Sequence, residues 1–516
     1  MPNNPEADEI IMQRQLRAYT QRGGPRPDAP VRYGGVNEQF IMFGDVTNAQ
    51  RGSFTPVWWV DPLARDRYRL IAQQVSPPET PKATISFARR RGGISWIVGD
   101  LSCPVNFYEQ ALGCGAAGDF LYGWSDFLTI YSKGLAGSRS SKSRSTRVDD
   151  NPLMDDVEFS FSAIYDIGGL SFREVAGTAI ERKVVDVAFA PGGACSNCGT
   201  PSDGTTRLYA LIASSGSGSP GIPAKVVWTV DGITFNDVNI TGLGGTVTPT
   251  GIDIVGNFVV VIDTVNKGYW YSEIDRWTGA PTSWAFVSAG FDADSPPTDI
   301  FVAGPNEVYF SAHGGYIYRS RNIPVGVTPI YSGSATAEPL TRIAGHGSTL
   351  VAVGEVGTIL RSMDRGSTWT RIFSPTGGNI TAVQVLDHFL YWIGDEAGGV
   401  WWTAQGGQSW NSLTLPSVRA VDDILFVTDE VGYLLARAPN LTTARLWTTF
   451  NGGADWSASN IEGNPRILNF PAFSRGTRLA APRGVPEVTA ANHLAIGGLS
   501  ADGVDGRLYI GSANVI

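Results

Sequence analysis

Cysteine, histidine and methionine are scarce in this 516-residue chain: four, four and five. Four cysteines are too few for a disulfide-stapled scaffold of this length. No histidine stands at metal-ligand spacing from another. Long apolar runs are missing too. The most apolar stretch, 252–265, is broken by Asp253, Asn257 and Asp263, and is too short and too polar to span a bilayer. Charged residues make up 17% and the net charge is −9, without the clustered basic surface that general nucleic-acid binding needs. The first nine residues have neither a basic segment nor an apolar core, so they do not read as a secretory signal. These absences predict a soluble protein made in a cytoplasm, with no cofactor motif and no assigned metal site.

The cysteines leave two readings open. Cys195 and Cys198 form a C-x-x-C pair that could be half of a zinc site, with Cys103 and Cys114 as the other half. Alternatively they are two local pairs, free or oxidised, each pinning a Gly-rich loop.

What is abundant is glycine, at 62 residues, a turn-rich β composition. The length exceeds one ordinary domain, and two units are expected. Residues 362–369 read Ser362-Met363-Asp364-Arg365-Gly366-Ser367-Thr368-Trp369. Worn copies carry Thr403, Gly407 and Trp410, then Thr449, Gly453 and Trp456, then Thr229, Asp231 and Phe235. A strand with alternating pattern enters each copy, as in 357–362. Asp364 is suited to accept turn amides, Gly366 to take positive φ, and Trp369 to pack under the turn. Two further strand-like runs precede each lead-in, so each unit has four strands. The post-turn aromatics Phe235, Trp284, Trp369, Trp410 and Trp456 lie 49, 85, 41 and 46 residues apart, the 85 covering two units. A four-stranded unit of ~40–50 residues is a propeller blade. Six whole blades follow. A seventh is split, its last strand supplied by 170–175, which pairs with the C-terminal segments and removes two sheet edges.

The phrase S-x-D-x-G-x-T-W resembles the Asp-box, or BNR repeat, of sialidases, photosystem II assembly factors, sortilin-type receptors and many bacterial and phage propellers. Residues 362–369 match it at every defined position; Gln405 and Asn451 replace the Asp in two other copies. The resemblance covers roughly 170–516. It implies a propeller and is nearly silent about activity.

The first third carries no such repeat. Residues 1–30 read as an arm and linker, with helical composition over 6–21. Residues 31–168 read as a mainly β, sandwich-like assembly domain with one helix near 106–112. Arg139, Lys142, Arg144 and Arg147 lie in a cationic loop ahead of an acidic stretch. That loop is either an inter-subunit contact or a solvated hairpin, with nucleic-acid contact a third reading. The segment from Cys103-Pro104-Val105-Asn106 through Gly123-Trp124-Ser125-Asp126-Phe127 to 157 resembles the tail tube proteins of long-tailed phages. This implies a structural virion protein in hexameric rings. Its partners would be itself, other virion proteins, DNA as passing cargo and, through the propeller, surface glycans.

The alternative is a glycan- or protein-binding propeller or assembly factor; Trp401, Trp402 and Trp447 are of a kind that stacks on sugars, and interblade packing is the preferred reading of these rings. A sialidase-like hydrolase is a second alternative. Its arginine phrase is echoed only by Arg319-Ser320-Arg321-Asn322-Ile323-Pro324, out of pattern. Arg182, Arg207, Arg342 and Arg419 are its other candidate arginines. His313 and His346 read as turn or core residues, and Glu355 and Glu396 as repeat-equivalent positions. Enzymatic activity is not expected.

Overall fold

In a computed structural model, the chain divides into two compact units, the second starting at Leu170. The first third is described over 15–20, 39–42, 44–50, 56–60, 70–75, 81–88, 105–110, 127–141, 154–161 and 163–168. From 170 onward most of the chain is described. Exceptions are 176–179, 191–206, 215–222, 242–246, 334–337, 439–443, 457–467, 471–474, 483–492, 501–504, 514–516 and some single or paired residues. All four cysteines, Lys142, Arg144, Arg147 and Asp231 lie outside the described residues.

The described strands of the first unit form an eight-stranded sheet and a two-stranded one. Both expected helices are corrected. Gln15–Thr20 and Val105–Gln110 are strands, paired antiparallel with Leu16 opposite Glu109 and Ala18 opposite Phe107. Leu16 and Ala18, and Val105 and Phe107, recur with period two, and that alternation outweighs the helical composition. Arg139 sits on the strand Phe127–Ser141, opposite Val157.

The second unit is a seven-bladed β-propeller of four-stranded antiparallel blades, as the repeat predicts. Its inner strands are Val184–Phe189, Pro249–Val255, Pro297–Gly304, Leu340–His346, Ile380–Val385, Ala420–Phe426 and Arg475–Ala480, for blades 1 to 7. Blade 7 takes its outer strand from Leu170–Glu174, which pairs with Gly506–Ala513 in register Leu170 to Ala513.

The core lies in the layers between blades. One layer joins Tyr209, Leu211 and Val226 of blade 1 to Ile252, Val259 and Trp270 of blade 2. Another joins Val351 and Ile359 of blade 4 to Tyr391 and Ile393 of blade 5. Both sheet faces are covered, so second strands read as continuous apolar runs such as Leu208–Ile212. Trp270, Trp392 and Trp447 are fully buried. Each such ring removes ~150–250 Å2 from water. Buried tyrosines reach across these layers: the Tyr209 hydroxyl donates to the Gly279 carbonyl at 2.9 Å, and that of Tyr309 to the Arg365 carbonyl at 3.1 Å.

Candidate functional site

The repeated turn closes the third strand onto the outer one. In blade 4 the buried Ser362 Oγ accepts the Gly366 amide at 2.8 Å and donates to Asp364 Oδ1 at 2.8 Å. Asp364 also accepts the Thr368 amide and hydroxyl, at 2.8 and 2.7 Å. The Thr368 hydroxyl, then its amide, then Ser362 hold this exposed carboxyl down at about 2. Gly366 adopts φ 77°, and a Cβ there would meet Ile330 Cδ1 at 2.6 Å. The worn copies keep the hydroxyl, and two of them, with Gln405 and Asn451, lose the carboxylate. Thr403 accepts the Gly407 amide at 3.0 Å, Thr449 that of Gly453 at 2.9 Å, and Thr229 that of Gly232 at 2.9 Å. The post-turn aromatics pack inward. Trp369 and Trp410 join the layers between blades 3 and 4 and between 4 and 5, and Phe235 joins that between 7 and 1. Trp456 meets Trp392 and Phe426 edge-on, each at 5.9 Å. This is a structural device, with no ligand-facing chemistry.

The site lies at the axis, and most of it was missed in the sequence. Each inner strand carries one bulge near its start, with register shifts preceding Asp186, Gly251, Asp299, Arg342, Ala382, Asp423 and Arg478. A bulge re-aims the side chain beside it, and here the re-aimed positions converge. Of the axial residues only Arg342 was a sequence candidate. The signal available was a dipeptide in phase with the repeat: Thr250-Gly251, Thr298-Asp299, Thr341-Arg342, Thr381-Ala382 and Thr477-Arg478, with Val185-Asp186 and Asp422-Asp423 as the exceptions.

These residues stitch all seven blade junctions. Asp186 Oδ2 accepts the Ile252 amide at 3.0 Å, Asp299 Oδ2 that of Ile343 at 2.9 Å, and Asp423 Oδ2 that of Leu479 at 2.8 Å. Hydroxyls serve the other junctions. Thr341 donates to the Ile380 carbonyl and Thr381 to that of Val421, both at 2.6 Å. Thr264 donates to the Pro297 carbonyl at 3.0 Å, and Thr477 closes the ring on the Val184 carbonyl at 2.8 Å. Two arginines cross the axis. Arg478 Nη2 donates to Asp299 Oδ1, and its Nε lies 3.3 Å from Asp186 Oδ1. Arg342 donates from Nε to the Thr381 carbonyl at 2.9 Å, with Nη1 3.7 Å from Asp299 Oδ1.

Burial dominates the protonation of this ring. It pushes Asp186 up to about 7 in spite of Arg478. It raises Asp299 against the pull of the same arginine. Asp423 is raised well above the ordinary carboxyl value by burial and by the charges of Asp186 and Asp299. For Arg478, burial opposes the charge, but Asp299 and Asp186 outweigh it and its pKa rises. The arginine therefore stays charged, and the carboxyls around it resist being ionised together.

Next to the ring lies a cavity of about 450 Å3, reaching toward the C-terminal ends of the inner strands. Asp186, Asp253, Asp299, Asp423 and Arg478 form its polar part, and Phe301, Ile343, Val383, Leu425, Leu479 and Pro482 are among its apolar walls.

The other sequence candidates do not converge there. Arg182 donates to the Pro223 carbonyl at 3.0 Å, Arg207 is buried in blade 1, and Arg419 is exposed. The amides of Glu355 and Glu396 bond equivalent carbonyls, of Pro339 and Asn379, both at 3.0 Å. His313 lies in a 3-10 turn and His346 is exposed at a strand end. Trp402 and Trp447 are buried, and Trp401 packs against the layer between blades 4 and 5, as the interblade-packing reading expects. Among the described residues no group of three or more His, Cys, Asp or Glu side chains is placed to hold a metal ion. No helix among them is long and apolar enough to cross a membrane.

No family model matches the chain. No curated protein matches it. Similar solved structures include YCF48 from Cyanidioschyzon merolae, 13% identical with a TM-score of 0.47, covering 67% of this chain and 100% of that one. A structure described as YCF48 bound to D1 peptide is 13% identical with a TM-score of 0.48, covering 67% and 97%. The RRP9 WD40 repeats are 11% identical with a TM-score of 0.46, covering 67% and 99%.

Proposed function

We propose that the propeller is a protein-binding module that takes a segment of a partner protein into its central cavity, in an assembly role without catalysis. The observation that carries this reading is the cavity itself. Its volume of about 450 Å3 lies within the range of ligand pockets, ~300–1,000 Å3, and such pockets pair apolar walls with a few polar groups. The use of the axial charges supports a non-catalytic role. Asp186, Asp299 and Asp423 each hold an amide of the next blade, and Arg478 is committed to two of them. A catalytic acid needs freedom to exchange its proton with a substrate atom within reach. A sialidase-like site needs arginines free for a substrate carboxylate, and these are paired with aspartates. The virion reading rests on the sequence of the first third, and no structural observation favours it over this one.

The test is a selection of random twelve-residue peptides displayed against the intact chain. The expected result is an enriched binder that slows amide exchange at the inner-strand ends around Phe189, Phe301 and Phe426. No enrichment above an unrelated folded control, or protection confined elsewhere, overturns the reading.

A further inference from the structure

The central cavity gathers more carboxyls than cations. Six charged side chains gather at its floor: Asp186, Asp253, Asp299, Arg342, Asp423 and Arg478, from blades 1, 2, 3, 4, 6 and 7. Blade 5 places uncharged Ala382 and Gln384 there. Four carboxyls therefore face two guanidiniums. Arg478 is committed to Asp186 and Asp299, and Arg342 to Asp299. Asp423 has no cation beside it among the described residues. Its two oxygens accept only amides, Ile424 at 3.0 Å and Leu479 at 2.8 Å.

We propose that the cavity receives a lysine or arginine side chain of the partner segment, with its cationic tip against Asp423 and its stem along the apolar walls. This rests on the binding-module reading above. A bare metal ion is a poor fit, because the carboxyls do not form a metal-ligating group. A side chain with an apolar stem and a charged end suits both parts of the cavity. The floor-to-rim distance supports it: three residues of inner strand separate Asp423 from Phe426, or roughly 10 Å at ~3.3 Å per residue.

Binding has a proton signature. Burial, and then the charges of Asp186 and Asp299, favour the protonated form of Asp423. An arriving ammonium favours the carboxylate, so the O–H bond breaks and one proton leaves to solvent as the ion pair forms. Affinity for the cation then rises with pH, until the ligand amine itself deprotonates near ~10.

The probes are Ac-Gly-Lys-Gly-amide, the same peptide with norleucine for lysine, and n-butylamine, titrated into the intact chain by calorimetry in two buffers of different ionisation enthalpy. The lysine peptide is expected to bind at least about tenfold tighter than the norleucine peptide, with proton release and with affinity rising from pH 6 to 8. Asp423→Asn is expected to reduce the discrimination to about twofold or less. The wild-type pH dependence keeps the test decisive if that variant fails to fold. Equal binding of the two peptides, or binding of neither, overturns the cation proposal. The peptide selection judges the binding-module reading separately, since cavity binders without a basic residue would leave that reading standing. Butylamine binding as tightly as the lysine peptide would assign the cavity to free amines and overturn the partner-segment source.

Discussion

At the rim, Ser362 takes the amide of a glycine four residues away. At the axis, Asp186 takes an amide 66 residues away, and Thr477 reaches a carbonyl 293 residues away. Both regions satisfy backbone groups with side-chain oxygens. The rim uses a neutral hydroxyl in a local turn, repeated from blade to blade. The axis uses carboxyls, guanidiniums and hydroxyls from different blades, which only the closed ring brings together. The rim therefore depends on local chain geometry and the axis on the whole propeller.

Their pH signatures have opposite signs. Asp186 has a folded pKa of about 7, above its unfolded value, so the native state binds more protons between the two. The stability it contributes is complete at low pH and is lost as pH rises through about 7. Asp364 is held at about 2, below its unfolded value. Its contribution is present above the ordinary carboxyl range and is lost as pH falls toward about 2.

The sharpest way to break the comparison is Arg478→Met. It removes the guanidinium shared by Asp186 and Asp299 and leaves buried charge unmatched. The expected loss is ~3–5 kcal/mol in urea unfolding at pH 7.5. It should shrink at pH 5, below the pKa of about 7 of Asp186. An equal loss at both pH values would mean that the arginine acts by packing rather than charge.

Ring closure is probed by Thr477→Val against Thr381→Val. Each leaves a carbonyl of the next blade without its hydroxyl partner, at a cost of ~1–3 kcal/mol. Equilibrium losses should be similar, since the bonds are alike. Hydrogen exchange should separate them: Thr477→Val is expected to loosen amides of blade 7, whose outer strand Leu170–Glu174 joins Gly506–Ala513 only by strand pairing. Uniform loosening in both variants would remove the special place given to that junction.

These two regions also differ in how much the sequence discloses. A local turn writes its requirements into consecutive residues. Ser362, Gly366 and Trp369 therefore revealed the blade, its phase and the blade count. Axial chemistry is written one residue per blade, in unlike residue types. Arg342 and Arg478 have no arginine counterpart in blade 5, where Ala382 stands, so no phrase repeats. Only the threonine before five of the seven bulges keeps phase, and a threonine opening a strand is unremarkable by itself. Composition misled in the first third, where the polar segments at 15–20 and 105–110 are strands whose period-two pattern is short. Trp401, Trp402 and Trp447 were legible as interblade packing, because the layers between blades need that bulk.

Within the rim, Ser362→Ala separates the hydroxyl from the carboxylate. It removes the acceptor of the buried Gly366 amide, and should cost about 1 kcal/mol, up to ~3 if that amide stays unpaired. A loss near zero in thermal unfolding would mean that the glycine backbone alone fixes the turn.

The smallest effect is expected for Asp364→Asn, the residue that makes the motif recognisable. Its carboxyl is exposed, and its bonds to Thr368 and Ser362 stay within the turn. Asparagine keeps an acceptor oxygen, and Gln405 already stands at this position in blade 5, where Ser409 donates to its side chain at 2.7 Å. Substitutions at such exposed positions change stability little. The variant should match the wild type at pH 7 and lose less stability on acidification, because the group that must be protonated is gone. An unchanged acid limb would show that Asp364 does not carry the rim's pH signature. A loss as large as that of Arg478→Met would overturn the ranking itself, since it would make an exposed local turn as costly to disturb as the buried ring that joins all seven blades.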